Sequence, residues 1–371
     1  MPVSPSLAEN LAAEVVARYA EAERLMIERI ARNLAKGIDG PAWAQKKLAQ
    51  MRAYRRETAA LLADLKRKSA KDVRSAIVEA YERGGLSAVA DIAKVKPGAA
   101  VLEPLAGLRA IEALTAETLG YLNATHTRIL RSVMNAYQTV IGEGEQAVLQ
   151  AALRQETARA AAQVLLGTQT RLQAAQSALN AFAKRGITGF VDAAGHGWNL
   201  ESYTEMALRT GAGRAAVAGH VDRLLANGFD LVIVSEDGSP CELCAPHEGQ
   251  VYSLSGNSRE YPSLDEAQGD GLFHVNCRHD LNAYQPGVTP KPEPKSAADL
   301  ARDAERYGDR QKLRDLERQT RASKRLEAAA MDDAARKAAG VRVREYQRKI
   351  REHVASTSAK RIPVRERLGA L

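Results

Sequence analysis

The sequence predicts a mainly α-helical protein with a long helical N-terminal body, a small α+β module and a basic helical C-terminal tail. Apolar residues recur at helical spacing through most of the first 185 positions, whereas glycines, turn residues and β-branched residues are concentrated after residue 186. Aromatic residues make up only 5% of the chain and alanine supplies much of its apolar fraction, which favours long helices with narrow contacts. We therefore divide the chain into residues 1–185, 186–288 and 289–371.

The N-terminal body is predicted to contain several helices separated by glycine and proline. The predicted helices cover residues 5–36, 41–67, 70–83 and 105–184. Pro41 suits the first turn of the second helix, and Gly84-Gly85 are predicted to end the third. Residues 87–104 contain two prolines and one glycine near their end, so we expect them to form a connection.

The residue composition of the chain changes at Gly186, where the middle segment begins. Four glycines fall within residues 186–200, and the pattern is then helical from 201 to 225. The β-branched stretch 229–235 is predicted to be a buried strand, the turn residues 237–240 follow it, and residues 251–254 are a second short strand. These features predict a small α+β module that ends at Pro286-Gly287.

The tail carries the positive charge of the protein. Residues 289–371 contain 22 Lys and Arg against 13 Asp and Glu, a net charge of +9, whereas the rest of the chain has a net charge of −1. Three prolines at 290, 292 and 294 predict a linker, and residues 296–355 are predicted to be helical. The basic residues Arg318, Arg321, Lys324 and Arg325 recur at spacings that place them along one side of a helix. They would contact the phosphates of DNA, contact an acidic protein surface, or form a solvated face paired with nearby carboxylates.

The strongest chemical motif is a pair of short segments with metal-ligand spacing. Cys241 and Cys244 are separated by two residues, and His274 and Cys277 repeat that spacing thirty residues later. Three sulfurs and one imidazole complete the tetrahedral shell of a structural Zn²⁺ site with no open position. We therefore predict a zinc-knuckle-like module held by Cys241, Cys244, His274 and Cys277, with His279 and His247 as alternative ligands. The other interpretations are three free thiols or a disulfide between the first two cysteines.

The sequence lacks complete catalytic motifs. Pro240 and the first cysteine pair match half of the zinc deaminase signature, but the chain has no upstream His-x-Glu to complete it. Neither a phosphate-binding loop nor a His-Glu-x-x-His motif occurs in the sequence. We therefore expect that the protein is not an enzyme and has no catalytic residues.

Cysteine use and hydropathy give expectations about the compartment. Three clustered cysteines are poor evidence for a disulfide framework, and the N-terminal residues do not follow the pattern of a signal peptide. No apolar run reaches the length of about 18–20 residues that a membrane span requires. We expect synthesis in a reducing cytoplasm and no membrane partner.

An ordered set of short strings resembles the minor capsid (minor head) proteins of tailed bacteriophages, which are related to the F-type minor head proteins. The set begins with residues 186–192, Trp198 and 201–210. It continues with residues 247–256, Tyr261-Pro262, 271–279 and 284–287, and with basic strings between 307 and 351. The resemblance covers residues 186–355, and the first 185 residues match only in being helical.

The resemblance implies a structural protein of the virion head or neck that is assembled in the cytoplasm of the bacterial host. It implies association with the portal protein and the major capsid protein, multiple copies per virion, and a part in head morphogenesis and in DNA packaging or delivery. Packaged double-stranded DNA would then be the partner of the basic tail. The alternatives are a nucleic-acid-binding zinc protein outside the virion and a toxin-like ADP-ribosylating enzyme.

Overall fold

The structure, a computed structural model, describes residues 5–98, 100–102, 107–161, 170–186, 190–191 and 197–368. Within these ranges the α-helices are α1 (Pro5–Ala35), α2 (Trp43–Val95), α3 (Gly107–Ala161), α4 (Arg171–Arg185), α5 (Leu200–Ala226), α6 (Leu264–Gly269), α7 (Ala297–Ala328) and α8 (Asp333–Ser356). The strands are β1 (Phe190–Val191), β2 (Gly197–Trp198), β3 (Leu231–Val234), β4 (Val251–Ser253) and β5 (Leu281–Ala283). The prediction of a mainly α protein is confirmed.

Helix α2 is continuous where the sequence predicted two helices and a connection. It runs for 53 residues through Gly84 and Gly85, which were expected to end a helix. Both glycines are buried within the helix, because α5 crosses it at this point. Packing between the two helices outweighs the low intrinsic helix propensity of glycine, so the predicted stop at residue 83 was wrong.

The predicted helical region 105–184 is divided into α3 and α4. Helix α4 begins anew at Arg171 with a capping box, in which the Thr170 hydroxyl accepts a hydrogen bond from the Gln173 backbone and the Gln173 side chain accepts one from the Thr170 backbone. This pairing satisfies two backbone donors at the start of the helix and fixes its first turn. Residues 162–169, which fall in the same predicted helix, lie outside the described residues.

The main hydrophobic core lies among α1 to α5. Its largest fully buried side chains include Trp43, Tyr19, Tyr137 and Met26, together with isoleucine and leucine from α1, α2, α3 and α4. Helix α5 adds Leu200, Leu208 and several alanines to the same core. The segment after residue 186 is therefore packed into the helical body. Among the described residues, no helix combines the length and apolar character needed to cross a membrane.

Two glycines allow α2 and α5 to approach each other closely. A Cβ atom on Gly84 would lie 1.9 Å from the carbonyl oxygen of Ala216, and one on Gly219 would lie 2.0 Å from that of Tyr81. Both distances are far below van der Waals contact between a carbon and an oxygen. Each helix therefore presents a glycine to the backbone of the other, and the crossing requires both.

A second, smaller core supports a three-stranded antiparallel sheet with the order β4-β3-β5. Val232 in the central strand β3 pairs with Tyr252 on one side and Ala283 on the other. Helix α2 contributes Ala88 and Ile92 to this core, and α5 contributes Leu224. The strands predicted at 229–235 and 251–254 are confirmed, whereas β5 was not predicted.

Helices α7 and α8 form a hairpin whose first helix packs on α4 and α1. Asp332 caps α8 by accepting a hydrogen bond from the Ala335 backbone. His353 near the end of α8 donates to the Asp309 carbonyl of α7 at 2.8 Å, which holds the two helices together. The helical prediction for 296–355 is confirmed, with a turn between the two helices.

Candidate metal centre

The first ligand pair lies in a tight turn that follows β3. The Cys244 backbone N–H donates to the Cys241 carbonyl at 3.1 Å, and the Ala245 N–H donates to the same oxygen at 2.9 Å. This turn points both backbone amides inward and brings the two thiols to the same side. Cys244 is buried in the core of the sheet module, and Cys241 is half-buried.

The second pair lies in a matching turn after α6. The Cys277 backbone N–H donates to the His274 carbonyl at 2.9 Å, so the two pairs have the same hydrogen-bonding pattern. Asn276 adopts a positive φ of 66° in this turn. Asparagine enters that left-handed region more readily than most residues, which explains how the chain reverses directly before Cys277.

The two turns face each other and bring sulfur and nitrogen atoms together. The Cys241 sulfur lies 3.0 Å from His274 Nε2, and the Cys244 sulfur lies 3.6 Å from the Cys277 sulfur. Ligands of a tetrahedral zinc ion would be separated by roughly 3.5–3.8 Å, given Zn–S and Zn–N bonds of about 2.3 and 2.0 Å. Cys241, Cys244 and His274 lie within 4.8 Å of one another, whereas Cys277 is grouped with Cys244 and not with all three, so the predicted set of four is not closed around one point.

His279 belongs to the same cluster. Cys241, Cys244 and His274 form one group of possible ligand atoms, and Cys244, Cys277 and His279 form another that shares Cys244. His279 Nδ1 lies 3.6 Å from the Cys277 sulfur. The structure thus arranges five donor residues as two overlapping groups of three, with one histidine in each and Cys244 shared between them.

Each histidine is oriented by a hydrogen bond from its other ring nitrogen. His274 Nδ1 donates to the Val275 carbonyl at 2.7 Å, which leaves Nε2 to face the thiols. His279 Nε2 lies 2.8 Å from a Glu248 carboxylate oxygen, and the two side chains are only 2% and 3% exposed. A histidine that binds a metal commonly donates its other ring N–H to a carboxylate or carbonyl, which fixes the orientation and tautomer of the ring.

Glu248 connects the centre to the start of the tail. Lys295 Nζ lies 2.6 Å from Glu248 and 2.6 Å from Asp303 in α7. Burial opposes ionisation of Glu248, but its bonds to His279 and Lys295 outweigh burial and lower its pKa to about 2. The predicted linker therefore ends in a lysine that ties the metal centre to α7.

The thiols and His279 have strongly perturbed ionisation. The hydrogen bond from Cys244, with support from His279, lowers the pKa of Cys277 to about 4 despite burial. Burial disfavours the charged form of His279, but bonds to Cys277 and Glu248 outweigh it and raise its pKa to about 9. The hydrogen bond to Cys277 and burial together raise the pKa of Cys244. The contacts of Cys277 with Cys244 and His279 thus favour its thiolate, the form in which cysteine binds metal ions.

His247, the other alternative ligand, lies apart from the cluster. Its Nδ1 is 2.7 Å from the hydroxyl of Tyr252 in β4, and its ring is buried. The contact joins the first turn to the edge of the sheet, which is a structural role.

The four basic residues of the tail do not share one exposed face. Arg318 is exposed, and Lys324 is half-buried. Arg321 and Arg325 are 5% and 3% exposed and form a buried charge cluster with Glu201 of α5 and Glu23 of α1. Burial assigns these two arginines to the interior contact between α7 and the helical body, which corrects the expected common solvent-facing side.

Several arginines that sequence reasoning did not select lie beside the metal centre. Arg310 of α7 donates to Asp237 at 2.7 Å and to the Ser239 hydroxyl at 2.6 Å, both of which lie in the turn before Cys241. Arg278 lies between two of the possible ligands and contacts Asp237 at 3.3 Å. The spacing in the sequence could have identified Arg310, because it precedes Arg314 and Arg318 at four-residue intervals on α7.

Comparison with known proteins identifies a matching family model and a similar phage protein. The family model described as phage minor capsid protein 2 matches residues 3–355. A protein described as "Structural protein" from Lactococcus phage LL-H is 30% identical over 135 residues, which is 34% of this chain and 36% of the length of that relative. No solved structure matches the chain significantly. Because the family match spans nearly all described helices and the cysteine turns, the chain belongs to the phage minor capsid protein 2 family.

Proposed function

We propose that the protein is a structural minor head protein that joins the portal to the capsid interior and contacts packaged DNA. The observation that carries this proposal is the family match, which extends over the helical body, the sheet module and the tail. In this proposal the major capsid protein and the portal are its neighbours, several copies are present per virion, and assembly takes place in the host cytoplasm. The protein acts in head morphogenesis and in DNA packaging or delivery, without catalysing a reaction.

The mechanical features of the chain support this role. Two helices of 53 and 55 residues give the body a length of about 80 Å, which suits a spacer between larger components. The excess positive charge of residues 289–371 suits contact with a polyanion.

Quantitative mass spectrometry of purified phage particles, combined with lysine-reactive cross-linking, tests the proposal. We expect the chain in particles at a copy number far below that of the major capsid protein, with cross-links to the portal. Particles assembled without the portal serve as the control and should lose the chain. Absence of the chain from particles, or a copy number equal to that of the major capsid protein, would contradict the proposal.

We also infer that the cysteine and histidine cluster binds one structural Zn²⁺. Cys241, Cys244 and Cys277 would supply three thiolates, and His274 or His279 would supply the imidazole. Bound zinc would cross-link the two turns and add to the folding free energy of a module whose own core is small. Three sulfurs and one nitrogen favour zinc over Mg²⁺ or Ca²⁺, which prefer oxygen ligands.

Metal content per chain, measured by inorganic mass spectrometry after purification without chelators, tests this site. We expect about one zinc per chain in the wild type and loss of zinc in Cys277→Ser. Of His274→Gln and His279→Gln, the variant that loses zinc identifies the fourth ligand. His247→Gln is the matched control, since this buried histidine bonds Tyr252, and it should retain zinc. Zinc-free wild-type protein, or equal zinc in Cys277→Ser, would refute the site.

A further inference from the structure

A cleft of about 430 Å³ lies between α5, the turn of the second ligand pair, and α7. We call it the arginine cleft, because six arginines line it: Arg209, Arg278, Arg310, Arg314, Arg318 and Arg321. The side chains of the metal centre form part of its wall. The cleft therefore opens directly onto the candidate ligand residues.

The spacing of α7 explains why so many arginines reach one cleft. Arg310, Arg314, Arg318 and Arg321 follow one another at intervals of four, four and three residues, which places them on one face of the helix. The contacts of Arg310 with Asp237 and Ser239 turn that face toward the sheet module. Arg209 of α5 and Arg278 then complete the opposite side.

The cleft is positively charged even after its carboxylates are counted. The acidic residues among its lining are Glu205, Asp237 and Glu317, and buried Glu201 pairs with Arg321 from behind. The six guanidinium groups therefore leave an excess of two positive charges over these four carboxylates. A zinc ion held by three thiolates and one histidine would contribute one negative charge, which leaves an excess of one. Compensation of the metal centre therefore does not account for all of the arginines.

The carboxylates also position the arginines. Asp237 contacts both Arg278 and Arg310, and Glu317 lies 3.3 Å from Arg314 on the same helix. A guanidinium group has five N–H donors, so an arginine held by one carboxylate can still donate to an oxyanion. The Tyr307 ring lies under Arg310 at 5.5 Å and restricts that side chain further. Side chains held in this way lose little entropy when a ligand binds.

We propose that the arginine cleft binds a phosphoryl oxyanion, with the DNA backbone as its source. Arginine matches the oxygens of a phosphate with paired N–H donors, and a half-enclosed cleft strengthens such charged hydrogen bonds. The inference deepens the DNA contact proposed above and rests on that function only for the source of the phosphate. The proposed DNA contact then lies where α7 meets the sheet module, and not along the outer side of the tail.

Binding of a short labelled DNA duplex by the purified full chain, followed by fluorescence anisotropy over a range of salt concentrations, tests the proposal. Arg318→Gln and the double variant Arg314→Gln/Arg318→Gln remove cleft charge. The matched controls are Arg302→Gln and Arg302→Gln/Arg348→Gln, which remove the same charge from exposed arginines that also pair with carboxylates on their own helices. Circular dichroism confirms folding, and the exposed Arg318 keeps the test valid if the double variant is unstable.

We expect the double variant to bind the duplex about tenfold more weakly than its control, with a salt slope lower by roughly 0.9 for each phosphate contact removed. Inorganic phosphate should displace the duplex from the wild type better than chloride at equal ionic strength. If cleft variants lose stabilisation by inorganic phosphate but bind the duplex normally, the cleft takes a free phosphate. Equal behaviour of cleft and control variants toward both probes would overturn the proposal. These measurements use isolated protein, so they are independent of where the protein lies in the virion.

Discussion

Glu201 lies in the buried charge cluster that joins α5 to α7 and α1. Its carboxylate is 3.3 Å from Arg321 Nε, and Arg325 lies 3.9 Å from the Glu23 carboxylate in the same cluster. Burial raises the pKa of Glu201 to about 7, although Arg321 and Arg325 act to lower it. We therefore expect this interior carboxyl group to change its charge close to neutral pH, at the contact between α7 and the body.

The titration of Glu201 predicts a specific pH dependence of stability. Its folded pKa of about 7 is above the ordinary value of 4.5, so the folded state binds more protons between these values. Stability from this group is fully present below pH 4.5 and decreases as the pH rises toward 7, by up to roughly 3 kcal/mol. The free energy of unfolding of the wild type, relative to Glu201→Gln, should therefore fall across this window in urea titrations. A relative stability that rises with pH would show that the arginines dominate and that Glu201 is ionised throughout.

At single positions, the sequence predicted which cysteine and histidine residues lie near one another better than it predicted their surroundings. Two pairs with the same spacing pointed to Cys241, Cys244, His274 and Cys277, because local turn geometry is a short-range property. Glu248 could not be predicted, since its contact with His279 depends on how two loops meet in space. The burial of Arg321 and Arg325 was missed for the same reason, because their partners are more than one hundred residues away in sequence.

Among the helices, the crossing of α2 and α5 imposes the strictest constraint. We expect Gly219→Ala to destabilise the protein by at least about 1–3 kcal/mol, because the added methyl group would overlap the Tyr81 carbonyl. Gly213→Ala in the same helix is the control: nothing lies within 4 Å of its Cβ position, so alanine should stabilise the helix by about 0.5–1 kcal/mol. Thermal and urea unfolding measure both effects. Similar stability changes for the two variants would mean that the helices do not touch at Gly219.

The same crossing explains where the prediction of helices failed. A pair of glycines is typical of a helix end, so the sequence predicted one at Gly84-Gly85. In the structure these glycines lie inside α2, where α5 packs against them. The opposite error occurred at α4, where alanine and glutamine suggested an uninterrupted helix before Thr170. Periodic apolar residues located the helices, but local composition alone could not distinguish a break from a close contact.

At the scale of the whole molecule, helices α2 and α5 each contribute buried residues to both hydrophobic cores. Ala80 and Ala216 belong to the main core, whereas Ile92 and Leu224 belong to the core of the sheet module. Loss of either core would leave apolar faces of both helices exposed. We therefore expect the two cores to fold together. The division of the chain at residues 186 and 289 stays a prediction.

This coupling predicts a single unfolding transition. In scanning calorimetry the zinc-loaded chain should give one endotherm, and removal of zinc by a chelator should shift the whole endotherm to lower temperature. The shift is expected because bound zinc would stabilise a module whose core shares α2 and α5 with the main core. Two endotherms, of which the chelator moves only one, would show that the cores unfold separately.

The family was identifiable from the sequence, but the arrangement of the first 185 residues was not. Ordered strings from residue 186 onward carried the resemblance, and the family match extends it to residues 3–355. The N-terminal helices gave no comparable signal, because alanine-rich helices share composition without sharing distinctive motifs. Which of them meet depends on contacts such as Gly84 with Ala216, which are distant in sequence.

The continuity of α2 also limits how the length of the chain can vary. Each inserted residue rotates everything beyond it by about 100° about the helix axis. A single insertion between Leu62 and Ile92 would therefore turn the module-facing side of α2 away from its partners while the body-facing side stayed in place. Insertions of about 7, 11 or 18 residues correspond to nearly whole numbers of helical turns, so they nearly restore the original orientation of the residues that follow. Length differences within this helix among homologous chains should therefore fall into these discrete steps.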